Sequence, residues 1–150
     1  MLRVTKLTDY ATVVLAVLAS APEAVLSATG LAERAGLEAP TVAKLLKPLA
    51  QAGLVQAFRG ATGGYRLTRP ATEISLVEIV EAMEGPLAMT ECSIHDGHCG
   101  IEQSCGARAN WRRINDVVAD TLRRITLADM ALPVAEIPSR KTIPVSLSAN

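Results

Sequence analysis

The chain has 150 residues, of which 49% are hydrophobic and 20% are charged, and its 15 basic residues balance its 15 acidic ones. This length allows one modest hydrophobic core with an accessory element. The apolar run near the N-terminus is too short to span a bilayer and has no signal-cleavage pattern, so we expect a cytoplasmic protein with no membrane partner. A net charge near zero leaves nucleic acid open as a partner, because a basic face can coexist with an acidic remainder.

Hydrophobic periodicity and capping residues predict two helices at the start of the chain. Leu7–Ala19 carries apolar residues at steps of three and four, and Pro22 follows its end. Its apolar face is predicted to contain Tyr10, Val13, Val14, Val17 and Leu18. A second helix is predicted at Ala28–Ala35, between the capping residue Ser27 and the terminating residue Gly36.

A third helix and a hairpin follow. The helix begins near Pro40, a residue suited to a first helical turn, and stops at Gly53. Its apolar face contains Val42, Leu45, Leu46 and Leu49. Two short strands, Leu54–Arg59 and Gly64–Thr68, flank a glycine-rich turn. A helix-turn-helix followed by a hairpin is typical of a winged helix, whose second helix enters the major groove of DNA.

Basic and polar side chains surround the predicted groove-binding elements. The third helix carries a hydroxyl and two lysines away from its apolar face, and the hairpin carries three arginines, of which the last is Arg69. We therefore predict contact with double-stranded operator DNA. The predicted contact residues are Thr41, Lys44, Lys47, Arg59, Gly63, Gly64, Tyr65 and Arg66. The alternative is a solvated helix face beside an ordinary hairpin.

All three cysteines lie in one glycine-rich segment after the amphipathic stretch ISLVEIVEAMEG. Cys92, Cys99 and Cys105 are too widely spaced for a Cys-x-x-Cys redox motif or a zinc ribbon. An odd number of cysteines in a reducing compartment argues against a disulfide framework. Three thiolates at irregular spacing fit an iron-sulfur cluster, whereas His95 and His98 could instead complete a zinc site. Inert cysteines are the third interpretation.

Apolar residues beyond the cysteines form one stripe that predicts a long helix. The residues expected at its seam are Ile114, Val118, Leu122 and Ile125. A small domain offers such a helix little core to cover, so we predict pairing with a second copy, which also supplies the two-fold symmetry of palindromic DNA sites. The alternative is that the helix folds back on its own domain. The proline-containing tail is expected to be disordered.

Several stretches together resemble a family of bacterial iron-sulfur winged-helix transcription regulators, the IscR and NsrR family. They are KLTDYATVVLAVLA, RGATGGYRLTRP, ISLVEIVEAMEGP, and NWRRINDVV with ITLADM, and the resemblance covers residues 1 to about 132. The first stretch and the cysteine segment look most similar to the branch that regulates the Suf iron-sulfur assembly operon. The resemblance implies a homodimer crossed by its long helices, whose DNA binding depends on a cluster at the three cysteines.

The chain departs from the IscR pattern near the cysteines. A histidine follows the third cysteine by three residues in that pattern, whereas this chain has Arg108 there, and its first cysteine gap is one residue longer. In NsrR-like members an aspartate at the start of the first helix completes the site across the dimer, and Asp9 occupies that position. The resemblance implies Asp9 as the candidate fourth ligand, with His95 and His98 as rivals. A 2Fe-2S cluster is favoured, and a 4Fe-4S cluster is the alternative.

The sequence thus predicts a mainly α protein, a winged helix-turn-helix with a two-stranded wing and a long C-terminal dimerisation helix. The expected units are a DNA-binding domain at 1–84, a cysteine-rich cluster-binding loop at 85–109, a dimerisation helix at 110–132 and the tail at 133–150. The expected function is cluster-sensing transcriptional regulation. The alternatives are a nitric-oxide or redox-sensing repressor of the same family and a zinc-stabilised DNA-binding protein without a sensing role. No catalytic constellation or phosphate-binding loop occurs, so we expect neither an enzyme nor a small-molecule substrate.

Overall fold

The structure is a computed structural model that describes residues 4–93, 100 and 104–131. Within these ranges the helices are α1 Lys6–Ala19, α2 Ala28–Ala35, α3 Ala39–Gln51, α4 Leu76–Glu84, α5 Arg108–Arg124 and α6 Leu127–Ala131. Two antiparallel strands, β1 Val55–Phe58 and β2 Gly64–Leu67, lie between α3 and α4. Short 3-10 turns occupy Ala71–Glu73 and Glu91–Ser93. This order confirms the predicted mainly α winged helix-turn-helix with a two-stranded wing, and the predicted tail at 133–150 lies outside the described residues.

The main hydrophobic core lies where α1 packs against α2, α3, α4 and α6. The apolar face predicted for α3 is buried, with Val42, Leu45, Leu46 and Leu49 all in this core. The face predicted for α1 is partly wrong. The buried residues of α1 are Thr8, Ala11, Val14, Leu15 and Leu18. Val13 is exposed because the neighbouring helices converge on the side of α1 that carries Ala11.

The helix-turn-helix is defined by local signals at the ends of α2. The Ser27 hydroxyl accepts a hydrogen bond from the Gly30 backbone N–H at 3.0 Å, which caps the start of α2. Gly36 ends the helix with a left-handed φ of 66°. The backbone N–H of Leu37 then donates to the Ala32 carbonyl at 3.0 Å. This closed turn brings α3 against α2.

The wing is joined to the helix-turn-helix through its backbone. The Tyr65 N–H donates to the Leu26 carbonyl at 2.8 Å, and the Leu26 N–H donates to the Tyr65 carbonyl at 3.0 Å. The residue before the Ser27 cap therefore pairs with β2. A Cβ atom at Gly64 would lie 2.4 Å from the Leu26 carbonyl oxygen, so this close approach requires glycine.

The segment predicted as one dimerisation helix is divided into two helices. α5 ends at Arg124, Ile125 is extended, and α6 begins at Leu127. The Ile125 carbonyl accepts from the Leu76 N–H at 2.8 Å, and the Leu127 N–H donates to the Ile74 carbonyl at 2.8 Å. Leu127 is fully buried in the main core. The prediction of a continuous helix over 110–132 is therefore wrong, because a backbone bridge to the start of α4 ends α5 and turns the chain into the core.

The two sides of α5 have different surroundings. A second small hydrophobic cluster joins α5 to α4 through Val77, Val80, Leu87 and Ala119, with Leu76, Val118 and Leu122 packed against it. The other side leaves Trp111, Ile114 and Val117 between 40% and 53% exposed. One side of α5 therefore packs on its own chain, as in the alternative prediction, while the other presents an apolar surface to solvent.

Candidate functional site

The first candidate site is the outward face of α3. Thr41, Lys44 and Lys47 follow one another at steps of three, so they share a side of the helix. The two lysines are exposed and Thr41 is half-buried. The opposite side carries the buried leucines that fix α3 in the core. α3 therefore presents two ammonium groups from a rigid support, as a helix that enters a DNA groove requires.

The wing carries further basic side chains. Arg59 is exposed at the hairpin turn, and the Arg66 guanidinium lies over the Phe58 ring, with 5.1 Å between the guanidinium carbon and the ring centroid. A Cβ atom at Gly63 would meet the Phe58 carbonyl oxygen at 2.4 Å, so the tight hairpin turn needs glycine there. Tyr65 is half-buried and carries the backbone bridge to the helix-turn-helix. The structure thus places the predicted contact residues on α3 and the hairpin, and gives Gly63, Gly64 and Tyr65 packing roles there.

Arg69 has a different role from the other hairpin arginines. Its guanidinium forms an ion pair with Glu78, and its Nε donates to the Glu73 carbonyl at 3.2 Å. Burial raises the pKa of Glu78, but hydrogen bonds from Ser75 and the positive charge of Arg69 outweigh burial and leave that pKa below its usual value. Ser75 and Glu78 form the capping box of α4. Arg69 therefore attaches the end of the wing to α4, a structural role that its grouping with the other hairpin arginines did not predict.

The chain that leads into the cysteines is anchored on α5 by Asn115, whose side chain is buried. Its Oδ1 accepts from the Met89 N–H at 3.0 Å, and its Nδ2 donates to the Leu87 carbonyl at 3.3 Å. A buried amide that satisfies two backbone groups is costly to displace. The path of the chain shortly before Cys92 is therefore fixed relative to α5.

A second anchor joins the last residue of α4 to the first turn of α1. Glu84 Oε1 accepts hydrogen bonds from the Thr5 hydroxyl at 2.5 Å, from the Thr5 N–H at 3.3 Å and from the Thr8 hydroxyl. The Thr5 and Thr8 hydroxyl donors hold the pKa of Glu84 below its usual range. Asp9 lies next to Thr8 in the same turn, but its side chain is exposed. The start of α1 is thus tied to the start of the cysteine segment.

Only part of the predicted metal site falls on described residues. Cys105 is a half-buried free thiol shortly before α5, and the backbone of Cys92 lies in the second 3-10 turn. His95, His98 and Cys99 lie outside the described residues. Across 4–93, 100 and 104–131, no group of three or more His, Cys, Asp or Glu side chains is assembled in a way that could hold a metal ion. The ligand set therefore stays a prediction.

Sequence reasoning missed four residues that anchor this region, namely Thr5, Thr8, Glu84 and Asn115. Glu84 carried a usable signal, because a carboxylate at a helix C-terminus opposes the helix dipole and needs a specific partner. Asn115 carried another, since it is an amide on the inner side of an apolar helix stripe. Thr8 was missed because the apolar face assigned to α1 was centred on the wrong residues.

The fold, the basic side of α3 and the arginines of the wing define a winged-helix DNA-binding protein. A family model, Rrf2, described as an iron-dependent transcriptional regulator, matches residues 4–133. The chain belongs to the Rrf2 family. Membership confirms the predicted class of bacterial winged-helix regulators, and it confirms that the protein is a transcriptional regulator and not an enzyme. No helix in the part of the chain that the structure describes is long and apolar enough to cross a membrane.

Individual relatives are similar to this chain over most of their length. Protein aau3 of Rhizobium meliloti is 35% identical over 130 residues, which cover 86% of this chain and 84% of the relative. The solved structure of T. potens IscR is 31% identical with a TM-score of 0.62, covering 86% of this chain and 85% of that one. CymR, the global cysteine regulator of B. subtilis, is 30% identical with a TM-score of 0.66, covering 87% and 97%. The similarity therefore spans the winged helix, the cysteine segment and α5.

Proposed function

We propose that this regulator binds operator DNA as a homodimer and responds to an iron-sulfur cluster held by Cys92, Cys99 and Cys105. One observation carries the proposal: the segment that contains all three cysteines directly follows Glu84, a residue hydrogen-bonded to the start of α1 in the DNA-binding unit. A change within the segment therefore has a direct mechanical route to the DNA-binding unit. Similarity to T. potens IscR supports cluster binding. The sequence resemblance to the Suf branch supports the genes of cluster assembly as the target.

The wide, irregular spacing of the three cysteines favours an iron-sulfur cluster over a lone zinc ion. Thiolates are the usual ligands of iron-sulfur clusters, and three of them on one segment leave one position to fill. Arg108 cannot fill it, because a guanidinium is a permanent cation without a free lone pair. Asp9 is the proposed fourth ligand, and His95 and His98 are its rivals. A 2Fe-2S cluster is favoured over a 4Fe-4S cluster, and in either form it supplies a group that is sensitive to oxidants and to iron shortage.

The exposure of Asp9 suits a ligand that reaches a second copy. The neighbouring Thr8 is buried and donates to Glu84, whereas Asp9 is exposed. A carboxylate would be a weaker cluster ligand than the thiolates, so iron held by Asp9 would exchange more readily. Loss of the bond between Asp9 and iron would change the restraint on the first turn of α1, which is part of the DNA-binding unit.

The dimer seam is proposed on the exposed side of α5. Trp111, Ile114 and Val117 form an apolar surface on a helix whose other side is already packed. A second copy of the same surface covers it with two-fold symmetry. Of the predicted seam residues, Ile114 lies on this surface, while Val118 and Leu122 pack against the α4 cluster and Ile125 is half-buried at the end of α5. The centre of the proposed seam therefore moves toward Trp111, Ile114 and Val117.

The experiment is purification without oxygen, followed by absorption and Mössbauer spectra and by binding to suf promoter DNA. We expect a brown protein with bound iron and sulfide, and no cluster in Cys99→Ala. Operator affinity should differ between the loaded and cluster-free protein by about 5- to 150-fold, the usual size of coupling between two sites. A colourless protein that holds zinc would contradict the proposal. Equal affinities of the two forms would contradict the sensing role.

A further inference from the structure

We propose that Glu84 is the positioning residue through which the cysteine segment controls the DNA-binding unit, by holding the first turn of α1 through Thr5 and Thr8. The inference rests on the proposed function, because it names the route by which cluster binding reaches the DNA. Glu84 is the last residue of α4, and the cysteine segment starts at the next residue. Its partners lie 76 and 79 residues earlier in the chain.

The hydrogen bonds of Glu84 are placed where they matter for α1. The Thr5 hydroxyl accepts from the Thr8 N–H at 3.4 Å, which caps α1, and the same hydroxyl donates to Glu84. Thr8 is 1% exposed, so its hydroxyl needs a partner inside the protein, and Glu84 supplies one. Hydrogen bonds to a carboxylate are stronger than those between neutral groups. Movement of Glu84 therefore disturbs both the cap and the only buried polar side chain described for α1.

The path from the cysteines to Glu84 is short and restrained. Leu87 and Met89 are held by Asn115, and only Gly85 and Pro86 separate Leu87 from Glu84. Gly85 has a φ of 84°, a conformation that other residues rarely adopt. The ring of Pro86 fixes its own φ. Because Leu87 and Met89 are fixed to α5, a displacement caused by ligation at Cys92 would reach Glu84 by moving this stretch together with α5.

The path from α1 to the DNA is through close-packed side chains. Val14, Leu15 and Leu18 of α1 are at most 1% exposed, and α1 packs directly against α2 and α3. A close-packed interior transmits a displacement of one helix to its neighbours, because it has few voids to absorb it. A shift at the first turn of α1 therefore changes how α3 presents Lys44 and Lys47.

The test compares Glu84→Gln and Thr8→Val with Thr8→Ser and Glu73→Gln in the full chain, each prepared with and without the cluster. Thr8→Val removes the hydroxyl at nearly constant shape, whereas Thr8→Ser keeps the hydroxyl. Glu73→Gln makes the same chemical change at an exposed glutamate. We measure iron content, absorption spectra, melting temperature and affinity for suf promoter DNA, together with amide hydrogen exchange at residues 5–9 of the wild type.

We expect Glu84→Gln and Thr8→Val to fold and to keep the cluster spectrum, while the ratio of loaded to cluster-free operator affinity falls toward one. Thr8→Ser and Glu73→Gln should keep the wild-type ratio. In the wild type, exchange at residues 5–9 should differ between the two forms. If Glu84→Gln does not fold, Thr8→Val and the exchange measurement decide.

A wild-type ratio in Thr8→Val and Glu84→Gln, or equal exchange in the two forms, would overturn the inference. Cluster loss from Glu84→Gln would also overturn it, because Glu84 would then support the ligands and not couple two units. A different result would be that the wild-type protein itself binds operator DNA equally well with and without the cluster. That result would overturn the proposed function.

Discussion

The Arg66 guanidinium carbon lies 5.1 Å from the centroid of the Phe58 ring, on the neighbouring strand of the wing. An arginine over an aromatic face keeps its charge while its side chain loses conformational freedom. The wing therefore holds one positive group in a set orientation near the tip, and the exposed Arg59 at the turn adds a second. Binding to a phosphate then costs less side-chain entropy than it would for two mobile arginines.

The first prediction concerns the DNA interface. Lys44→Ala, Lys47→Ala and Arg59→Ala should each weaken operator binding, because each removes a cation from the proposed DNA-binding face. For a phosphate contact, the slope of log affinity against log salt concentration should become shallower by about 0.9. Titrations of promoter DNA at several salt concentrations measure both effects. Arg124→Ala, at the far end of α5, is the control and should change neither, and unchanged binding in all three variants would contradict the proposed docking.

The second prediction concerns the dimer seam. Val117→Glu or Ile114→Glu should yield folded monomers, because both side chains are exposed in one protomer but would carry an unpaired charge into the seam. Val118→Glu should in addition lower the melting temperature, since Val118 packs against the α4 cluster. Sedimentation measures the mass, and Asp116→Asn serves as a control on the charged side of α5. A dimeric Val117→Glu would place the seam elsewhere.

The third prediction concerns the wing. Gly64→Ala should lower the free energy of unfolding by about 1–3 kcal/mol, the usual cost of overpacking. Its new Cβ atom would lie 2.4 Å from the Leu26 carbonyl oxygen and 2.8 Å from the Ser27 nitrogen, and neither backbone atom can move freely. Gly106→Ala is the matched control, because its Cβ atom would meet nothing within 4 Å. Urea unfolding of the two variants should separate them, and equal stabilities would argue against the tight bridge between Leu26 and Tyr65.

The fourth prediction concerns acid stability. The pKa of Glu78 is lowered in the folded protein, so its charged form stabilises the fold above the ordinary value of 4.5, and this contribution is lost as the pH falls below that value. Unfolding free energy should therefore fall less steeply on acidification in Glu78→Gln than in the wild type. Glu73→Gln, which leaves the capping box intact, should follow the wild type. Urea unfolding is compared at several pH values between about pH 7 and pH 3. This range of about four pH units includes the ordinary pKa of a glutamate.

The fifth prediction concerns the fourth cluster ligand. Asp9→Ala should keep the three thiols and still take up a cluster, but with a changed spectrum or a shorter lifetime in oxygen, because a ligand is lost. Cys99→Ala should take up none. His95→Ala and His98→Ala are the rival variants and should match the wild type. An unchanged Asp9→Ala beside a disturbed histidine variant would move the ligand into the cysteine segment.

Local chemistry explains which parts of the fold could be predicted. The bounds of α2 were predicted to the residue, because a Ser27 cap and a left-handed Gly36 act within a few residues of the helix ends. The end of α5 could not be predicted, since it depends on the bridge between Ile125 and Leu76, which are far apart in sequence. Beyond this break Leu127 packs in the core with α1 and does not continue the apolar stripe of α5.

The same distinction applies to the candidate site. Lys44 and Lys47 could be placed on an exposed helix face, because the buried residues of the same helix define its other side. The link between Glu84 and Thr5 spans 79 residues, so no local pattern contains both partners. Arg69 was grouped with the other hairpin arginines by proximity in sequence, and only its ion pair with Glu78 shows that it serves the fold.

Leu127 lies beyond all three cysteines in the sequence, yet it is fully buried in the core that α1 and α3 share. The N-terminal part of a chain leaves the ribosome first, so the residues that form α1 to α4 emerge before this leucine does. The core of the DNA-binding unit therefore stays open during synthesis until the cysteine segment has also been made. We expect that no newly made chain can occupy a promoter before it carries the thiols that are proposed to hold the cluster.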